Sequence, residues 1–308
     1  MVIGLAASAS PGPARAGAVR SEFCPATPAR FELLSLPAPS LERSKRIWVY
    51  LPPGYDCAAP RRYPVFYFND GQDLFDWNPF AAELGPALAA DIAARDAWYG
   101  SWQLEGQLER AVAAGRLPPM IVVGIASDDG LRSRDLAPVP WLGSDEGRGI
   151  QYGAFVARTV VGAVDRRYRT DAARRCRGIG GASLGGISAL QIGLAHPARF
   201  GMVLSFSPVL SDPALAGFIA GAWRSASGSA RSAYLVDFDD DARGTRDRGW
   251  LAAVVTAAKS FRRHAVLVQT PAGRHAIGSW ASRAVPGLEV LFAAQCSRTR
   301  PRGFNVQP

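Results

Sequence analysis

Ser183 lies in Gly181-Ala182-Ser183-Leu184-Gly185, directly after the short run Cys176-Arg177-Gly178-Ile179-Gly180. Gly-x-Ser-x-Gly is the pattern of a nucleophile elbow, in which a strand turns sharply into a helix and presents a hydroxyl at the edge of a sheet. The pentapeptide alone is weak evidence in a chain with 32 glycines, because a glycine-rich turn can hold an incidental serine. Its surroundings add weight. An amphipathic segment, Phe155 to Tyr168, and the turn-like Arg169-Thr170-Asp171 precede the apolar run. Leu184 to Ala195 then repeats apolar residues at helical spacing and stops at His196-Pro197. Small side chains on both sides of Ser183 are a steric need, since an elbow residue takes a strained backbone conformation.

A serine hydroxyl is a poor nucleophile at neutral pH and needs a base within hydrogen-bond reach, itself oriented by a third group. The chain has three histidines. His196 ends a helix, where a capping or surface role suffices. His264 opens the last strand and faces the sheet edge opposite the elbow. His275, in Pro271-Ala272-Gly273-Arg274-His275, follows that strand's carboxyl end, where catalytic groups of open α/β sheets gather, so His275 is the candidate base. The acid is expected between them in sequence. Asp237-Phe238-Asp239-Asp240-Asp241 follows a strand there; Asp237 belongs to the strand, and Asp239, Asp240 and Asp241 remain on the loop. A calcium loop is a rival reading of these carboxylates, but its sixth and twelfth positions hold Ala242 and Arg248 in place of Gly and Glu. No metal or other cofactor is expected. Two backbone N–H donors must also face the developing oxyanion. One is assigned to Leu184 and the other to the turn Asp70-Gly71-Gln72, where Gly71 permits close backbone approach.

The elements that position these groups alternate in type. Strands are expected at Arg46–Leu51, Pro64–Phe68, Met120–Ile125, before the elbow, and at Met202–Ser205, Ala233–Asp237 and Ala265–Gln269. Helical patterning covers Phe80–Arg95, Leu104–Ala114, Leu184–Ala195, Trp250–Arg263 and about Ser279–Ala294. Residues 127–151 and the small-residue stretch up to Ser232 read as loops. The pattern implies an α/β fold: one doubly wound, mostly parallel sheet with helices on both faces. We divide the chain into a small-residue N-terminal segment (1–28), a catalytic domain (29–296) and a tail (297–308).

Composition narrows the function classes. With 48% hydrophobic residues in 308, the chain can bury a large core, and no run approaches a membrane span. The net charge of +9 comes from scattered arginines, Lys45 and Lys259 being the only lysines. No basic cluster is interleaved with aromatics, so nucleic acid is not an expected partner. The start of the chain resembles the end of a signal-peptide apolar region, and four cysteines suit two disulfides in an oxidising compartment. Secretion or periplasmic export is the favoured location, a cytosolic enzyme with free thiols the alternative.

Several stretches together resemble the esterase family of α/β-hydrolases that includes esterase D-like enzymes, enterochelin-type siderophore esterases, feruloyl esterases and mycolyltransferases. They are Trp48-Val49-Tyr50-Leu51-Pro52-Pro53-Gly54-Tyr55, Asp70-Gly71-Gln72, Met120–Ile125, Arg132 with Arg134-Asp135, Gly180–Gly186, His196-Pro197 with Phe200-Gly201, Ser207-Pro208, and His275 with Ser279-Trp280. The resemblance implies a single-domain α/β-hydrolase, Ser183 as nucleophile, His275 as base and oxyanion donation by Leu184 with Gly71 or Gln72. It places the acid at Asp241, with Asp240 close behind, although Phe238 and Asp239 replace the family's usual Gly-Thr. It also implies disulfides Cys57–Cys176 and Cys24–Cys296.

The expected activity is hydrolysis of a small-molecule or saccharide carboxylic ester (siderophore, feruloyl or acetyl-sugar, or short-chain acyl) through an acyl-enzyme. Acyl transfer from the same intermediate and a non-catalytic binding role are the alternatives. For substrate contact we mark Trp77, Phe80, Trp102 and Trp141 in an aromatic-lined cleft, with Arg132 or Arg134 holding an anionic or catecholate group. Core packing is the competing account of the tryptophans, above all Trp48 and Trp280. The oligomeric state is not legible.

Overall fold

Short runs of β-branched and aromatic residues form the centre of the molecule because a strand buried on both faces has no use for polar alternation. The computed structural model describes residues 28–55, 60–76, 100–127, 129–141, 144–210, 212–225, 232–238, 265–269 and 273–296, with isolated positions between 87 and 94. Its strands are β1 (Arg30–Ala38), β2 (Arg43–Leu51), β3 (Val65–Asn69), β4 (Ile121–Ile125), β5 (Arg177–Ala182), β6 (Met202–Phe206), β7 (Ala233–Phe238) and β8 (Ala265–Gln269). They join in one eight-stranded sheet in the order β1-β2-β4-β3-β5-β6-β7-β8. β1 pairs antiparallel with β2 and β2 antiparallel with β4; from β4 to β8 every pairing is parallel. The α/β sheet expected from the sequence is therefore present.

The helices are α1 (Leu104–Ala113), α2 (Arg132–Leu136), α3 (Gly149–Phe155), α4 (Val161–Arg167), α5 (Leu184–Ala195), α6 (Pro213–Ser225) and α7 (Ile277–Gln295), with a π-helical turn, Val156–Val160, joining α3 to α4. Alternate strand residues face two separate cores. Val49, Tyr67, Val123 and Ile179 meet α3 to α6, whereas Trp48, Phe66, Phe68 and Leu204 meet α1 and α7. The period of two along each strand thus serves helices on both faces.

Four expectations need correction. β1 was not anticipated, because an edge strand carrying Pro37, with Leu33 42% exposed, lacks the apolar density of the others. The segment 127–151 is not one long loop, since it contains α2 and the start of α3. α6 lies where the small residues suggested a loop. Asp212 accepts the N–H groups of Ala214 and Leu215, Pro213 opens the first turn, and Leu215, Ala216, Ile219, Ala220 and Trp223 repeat on one buried face. The fourth concerns the cysteines: Cys176 is bonded to Cys296, at a Cα separation of 4.9 Å, so neither expected pairing of these two holds. Proximity of the β5 start to the end of α7 decides the partner, a relation that cysteine spacing does not encode. Cys24 and Cys57 lie outside the described residues, as do the N-terminal segment before Pro28, the 297–308 tail, the helix expected at Trp250–Arg263 and most of that at Phe80–Arg95.

Candidate active site

Ser183 separates β5 from α5 with φ 57° and ψ −124°, a conformation rare for any residue with a Cβ. The backbones on either side of it touch, so residue 181 has to be glycine: a Cβ there would lie 2.5 Å from the Gly185 carbonyl oxygen. The Ser183 N–H donates to the Phe206 carbonyl at 2.9 Å, which ties the elbow to the end of β6. Asn69, the last residue of β3, donates from Nδ2 to the Gly185 carbonyl at 2.8 Å and accepts from the Tyr152 hydroxyl at 2.8 Å. Burial, then the nearby carboxylates Asp70 and Asp135, raise the Tyr152 phenol well above its ordinary pKa, so it remains a donor to Asn69.

His275 sits just before α7, and its Nε2 lies 2.9 Å from Ser183 Oγ. The structure therefore brings these two candidates, 92 residues apart in sequence, into hydrogen-bond contact. Of the other histidines, His196 caps α5 with its pKa lowered by burial and by Arg158 and Arg199; His264 lies outside the described residues. Asp239, Asp240 and Asp241 also lie outside them. Asp237 is the penultimate residue of β7 and its carboxylate pairs with Arg283 of α7 at 3.0 Å, both groups nearly buried.

Sequence reasoning missed the contacts that hold the segment bearing His275. Trp280 donates from its indole N–H to Ser207 Oγ at 2.7 Å while its ring meets the His275 ring edge-on at 5.1 Å. Ser207, at φ 44°, donates its own N–H to the Asp237 carbonyl at 2.7 Å. Together with the Arg283–Asp237 pair these bonds fasten the first turns of α7 to the ends of β6 and β7. Ser207 and Trp280 both stand in the stretches carrying the family resemblance, but nothing in their spacing says that they meet. Trp280→Phe keeps an aromatic ring and removes the donor, so we expect about 1 kcal/mol less stability and a roughly tenfold lower kcat with KM little changed. Unaltered kcat would show that the bond does not hold the imidazole in place.

Leu184 opens α5, and Gly71 and Gln72 open a tight turn, Gly71–Asp73, after β3. The N–H groups at the start of α5 point out along its axis, and the helix dipole adds positive potential there. The turn passes tightly against β4: a Cβ on Gly71 would lie 2.4 Å from the Gly124 carbonyl carbon. The expected substrate contacts fare differently. Trp102 is 4% exposed and packs edge-on against Phe68 and Phe206, so its indole belongs to the core. Trp141 likewise packs against the core on the α3 face. Arg132 grips Asp70 with two N–H groups, at 2.7 and 2.8 Å. Arg134 lies 3.8 Å from the buried Asp135, which also pairs with Arg43 and with Lys45. Protein partners thus account for the placement of Trp102 and Arg132, whereas Trp141 is only partly buried and the buried Nε of Arg134 has no hydrogen-bond partner among the described residues. Trp77 and Phe80 lie outside the described residues. Among the described residues no cluster of side chains is suited to hold a metal ion, and no helix is long and apolar enough to cross a membrane.

A serine at a positive-φ elbow, facing an imidazole at the carboxyl edge of a largely parallel sheet, is the arrangement of the α/β-hydrolase fold. The chain belongs to the esterase family: the family described as "Putative esterase" matches residues 38–281. Among curated proteins it is 26% identical over 169 residues to Uncharacterized protein YbbA of Bacillus subtilis (strain 168), which covers 53% of this chain and 56% of that protein. Among solved structures, a ferulic acid esterase superposes with a TM-score of 0.62 at 19% identity, covering 87% of this chain and 99% of the other. Enterobactin esterase FES from Shigella flexneri, determined in the presence of enterobactin, gives 0.63 at 20% identity and covers 88% of this chain and 61% of its own. An IroE-like serine hydrolase from Shewanella oneidensis gives 0.63 at 17% identity, covering 85% and 80%. At these identities the likeness to solved structures is one of fold.

Proposed function

We propose that this protein hydrolyses carboxylic esters through an acyl-enzyme on Ser183. The 2.9 Å contact between Ser183 Oγ and His275 Nε2, at a strained elbow, carries this reading. His275 takes the hydroxyl proton as Oγ attacks the ester carbonyl, a step that positioned general-base catalysis accelerates by about 10²–10⁴-fold. The resulting oxyanion is held by the N–H of Leu184 and one from Gly71 or Gln72. The imidazolium then protonates the departing alkoxide, and His275 activates a water that releases the acid. Asp241, with Asp240 as the alternative, is our assignment for the carboxylate that orients His275 Nδ1 and stabilises its charged form.

The substrate class we favour is an ester of an aromatic or other small carboxylic acid, in keeping with relatives named ferulic acid esterase and enterobactin esterase. The Cys176–Cys296 disulfide supports an oxidising compartment outside the cytosol. A fluorophosphonate probe is expected to add its mass to the Ser183 peptide. A side-by-side panel of feruloyl, catecholate-siderophore, acetyl-sugar and short-chain esters is expected to show turnover of at least one. A protein that the probe leaves unlabelled, and that turns over none of the panel, would be a binding protein on a hydrolase scaffold.

A further inference from the structure

We infer that Arg132 is a positioning residue for the oxyanion turn, acting through Asp70; this rests on the reading of Ser183 as the acylated nucleophile. Asp70 immediately precedes Gly71 and Gln72 and takes a left-handed backbone, φ 57° and ψ 48°. Only a few residue types tolerate that conformation, and it costs free energy even for aspartate. Its carboxylate accepts three hydrogen bonds from two residues. Arg132 donates from Nε to Oδ1 at 2.7 Å and from Nη2 to Oδ2 at 2.8 Å, and Ser127 donates from Oγ to Oδ1 at 2.6 Å. Ser127 also donates its N–H to Gln72 Oε1 at 2.9 Å, so the loop after β4 holds the turn after β3 on both sides of Gly71. The facing glycines 71 and 124 bring the two backbones into contact.

Arg132 is itself held. Three residues on, Asp135 is 1% exposed and pairs with Arg43 and Lys45 at the start of β2, which fixes the turn of α2 that carries the guanidinium. A paired fork of this kind sets direction as well as distance, unlike a point charge. The pairing has a second consequence. Asp70 Oδ2 lies 2.5 Å from where a Cβ on Gly185 would sit, two residues beyond Ser183. A carboxylate there opposes negative charge developing at the first turn of α5, and Arg132 offsets it. Arg132 thus aims the turn's N–H groups and neutralises the carboxylate that shares their space.

The test compares wild type with Arg132→Met, Arg132→Lys and the double variant Asp70→Asn/Arg132→Met. It reads kcat and KM on the best ester of the panel, affinity for a phenylboronic acid that forms a tetrahedral adduct with serine, and the midpoint of thermal unfolding. Arg132→Met is expected to lower kcat about 10²-fold, with KM within threefold and boronate affinity falling in parallel. Arg132→Lys, which keeps the charge and loses the fork, should fall between. The double variant should be faster than Arg132→Met, because the uncompensated carboxylate has gone, and it reads the charge effect even if Arg132→Met folds poorly. Unchanged kcat and boronate affinity in Arg132→Met, a change in KM alone, or a double variant no faster than the single one would overturn the inference. In each of those outcomes the wild type still labels at Ser183 with the fluorophosphonate. A wild type that does not label would instead overturn the nucleophile reading, and this inference with it.

Discussion

Ser183→Ala is expected to lower kcat by about 10⁶-fold, leaving only the residual acceleration that oxyanion donors and substrate binding supply without a nucleophile. The change removes Oγ, the atom 2.9 Å from His275 Nε2, and leaves the backbone bond from the residue-183 N–H to Phe206 in place. Stability should therefore hardly move. Ser183→Gly should be equally inactive and about 1 kcal/mol more stable. Relief of the positive-φ strain contributes roughly 1–3 kcal/mol, and glycine's greater freedom in the unfolded chain offsets about 0.5–1 kcal/mol of it. Hydrolysis rates and guanidinium unfolding of the three proteins check both parts. Substantial activity in the alanine variant would end the acyl-enzyme reading, and a destabilised glycine variant would mean that the elbow is not strained.

Removing the Cys176–Cys296 bond by Cys176→Ser/Cys296→Ser is expected to cost about 5 kcal/mol of unfolding free energy. The bond closes a loop of 120 residues, and in the chain-entropy account a loop of that size restricts the unfolded ensemble by about this amount. Against a typical total of about 5–15 kcal/mol the loss is severe. Activity of the surviving folded protein should nevertheless stay close to wild type. The bond joins the start of β5 to the end of α7, the ends remote from Ser183 and His275, while the Trp280–Ser207 and Arg283–Asp237 contacts hold the near end of α7. Denaturant curves and kcat at 25 °C separate the two effects. A double variant as stable as wild type would refute the first expectation. One that keeps its stability margin but loses turnover would show that strain at the far end of α7 reaches the imidazole.

What could be read in the chain is what local chemistry dictates. An elbow needs small residues around its serine whatever the rest of the fold does, so Gly181 to Gly186 marked β5, Ser183 and α5 together. Strands buried on both faces must be apolar throughout, which marked β4 and β6 almost to the residue. His275 was singled out because it follows the last strand's carboxyl end, where an alternating α/β order gathers its functional loops. Asp70-Gly71-Gln72 stood out because it closes a strand at the same edge of the sheet, and the resemblance to known esterases pointed to the same turn.

The rest depends on which distant segments meet, and no local pattern records that. α6 interleaves four alanines and two glycines with Leu215, Ile219 and Trp223, and the small residues mask that apolar stripe until its face is seen against the core. Trp102, Trp141 and Arg132 have side chains that suit a ligand as well as they suit the protein, and only the packing shows what they touch. Cysteine spacing leaves every pairing open, and the choice of Cys296 for Cys176 follows from where α7 ends over the sheet. In this protein the amino-acid sequence determined the periodicities and the residue types able to do chemistry. The tertiary structure alone decided their partners, because proximity across the sheet is set by the packing of whole elements and not by any residue's own preference.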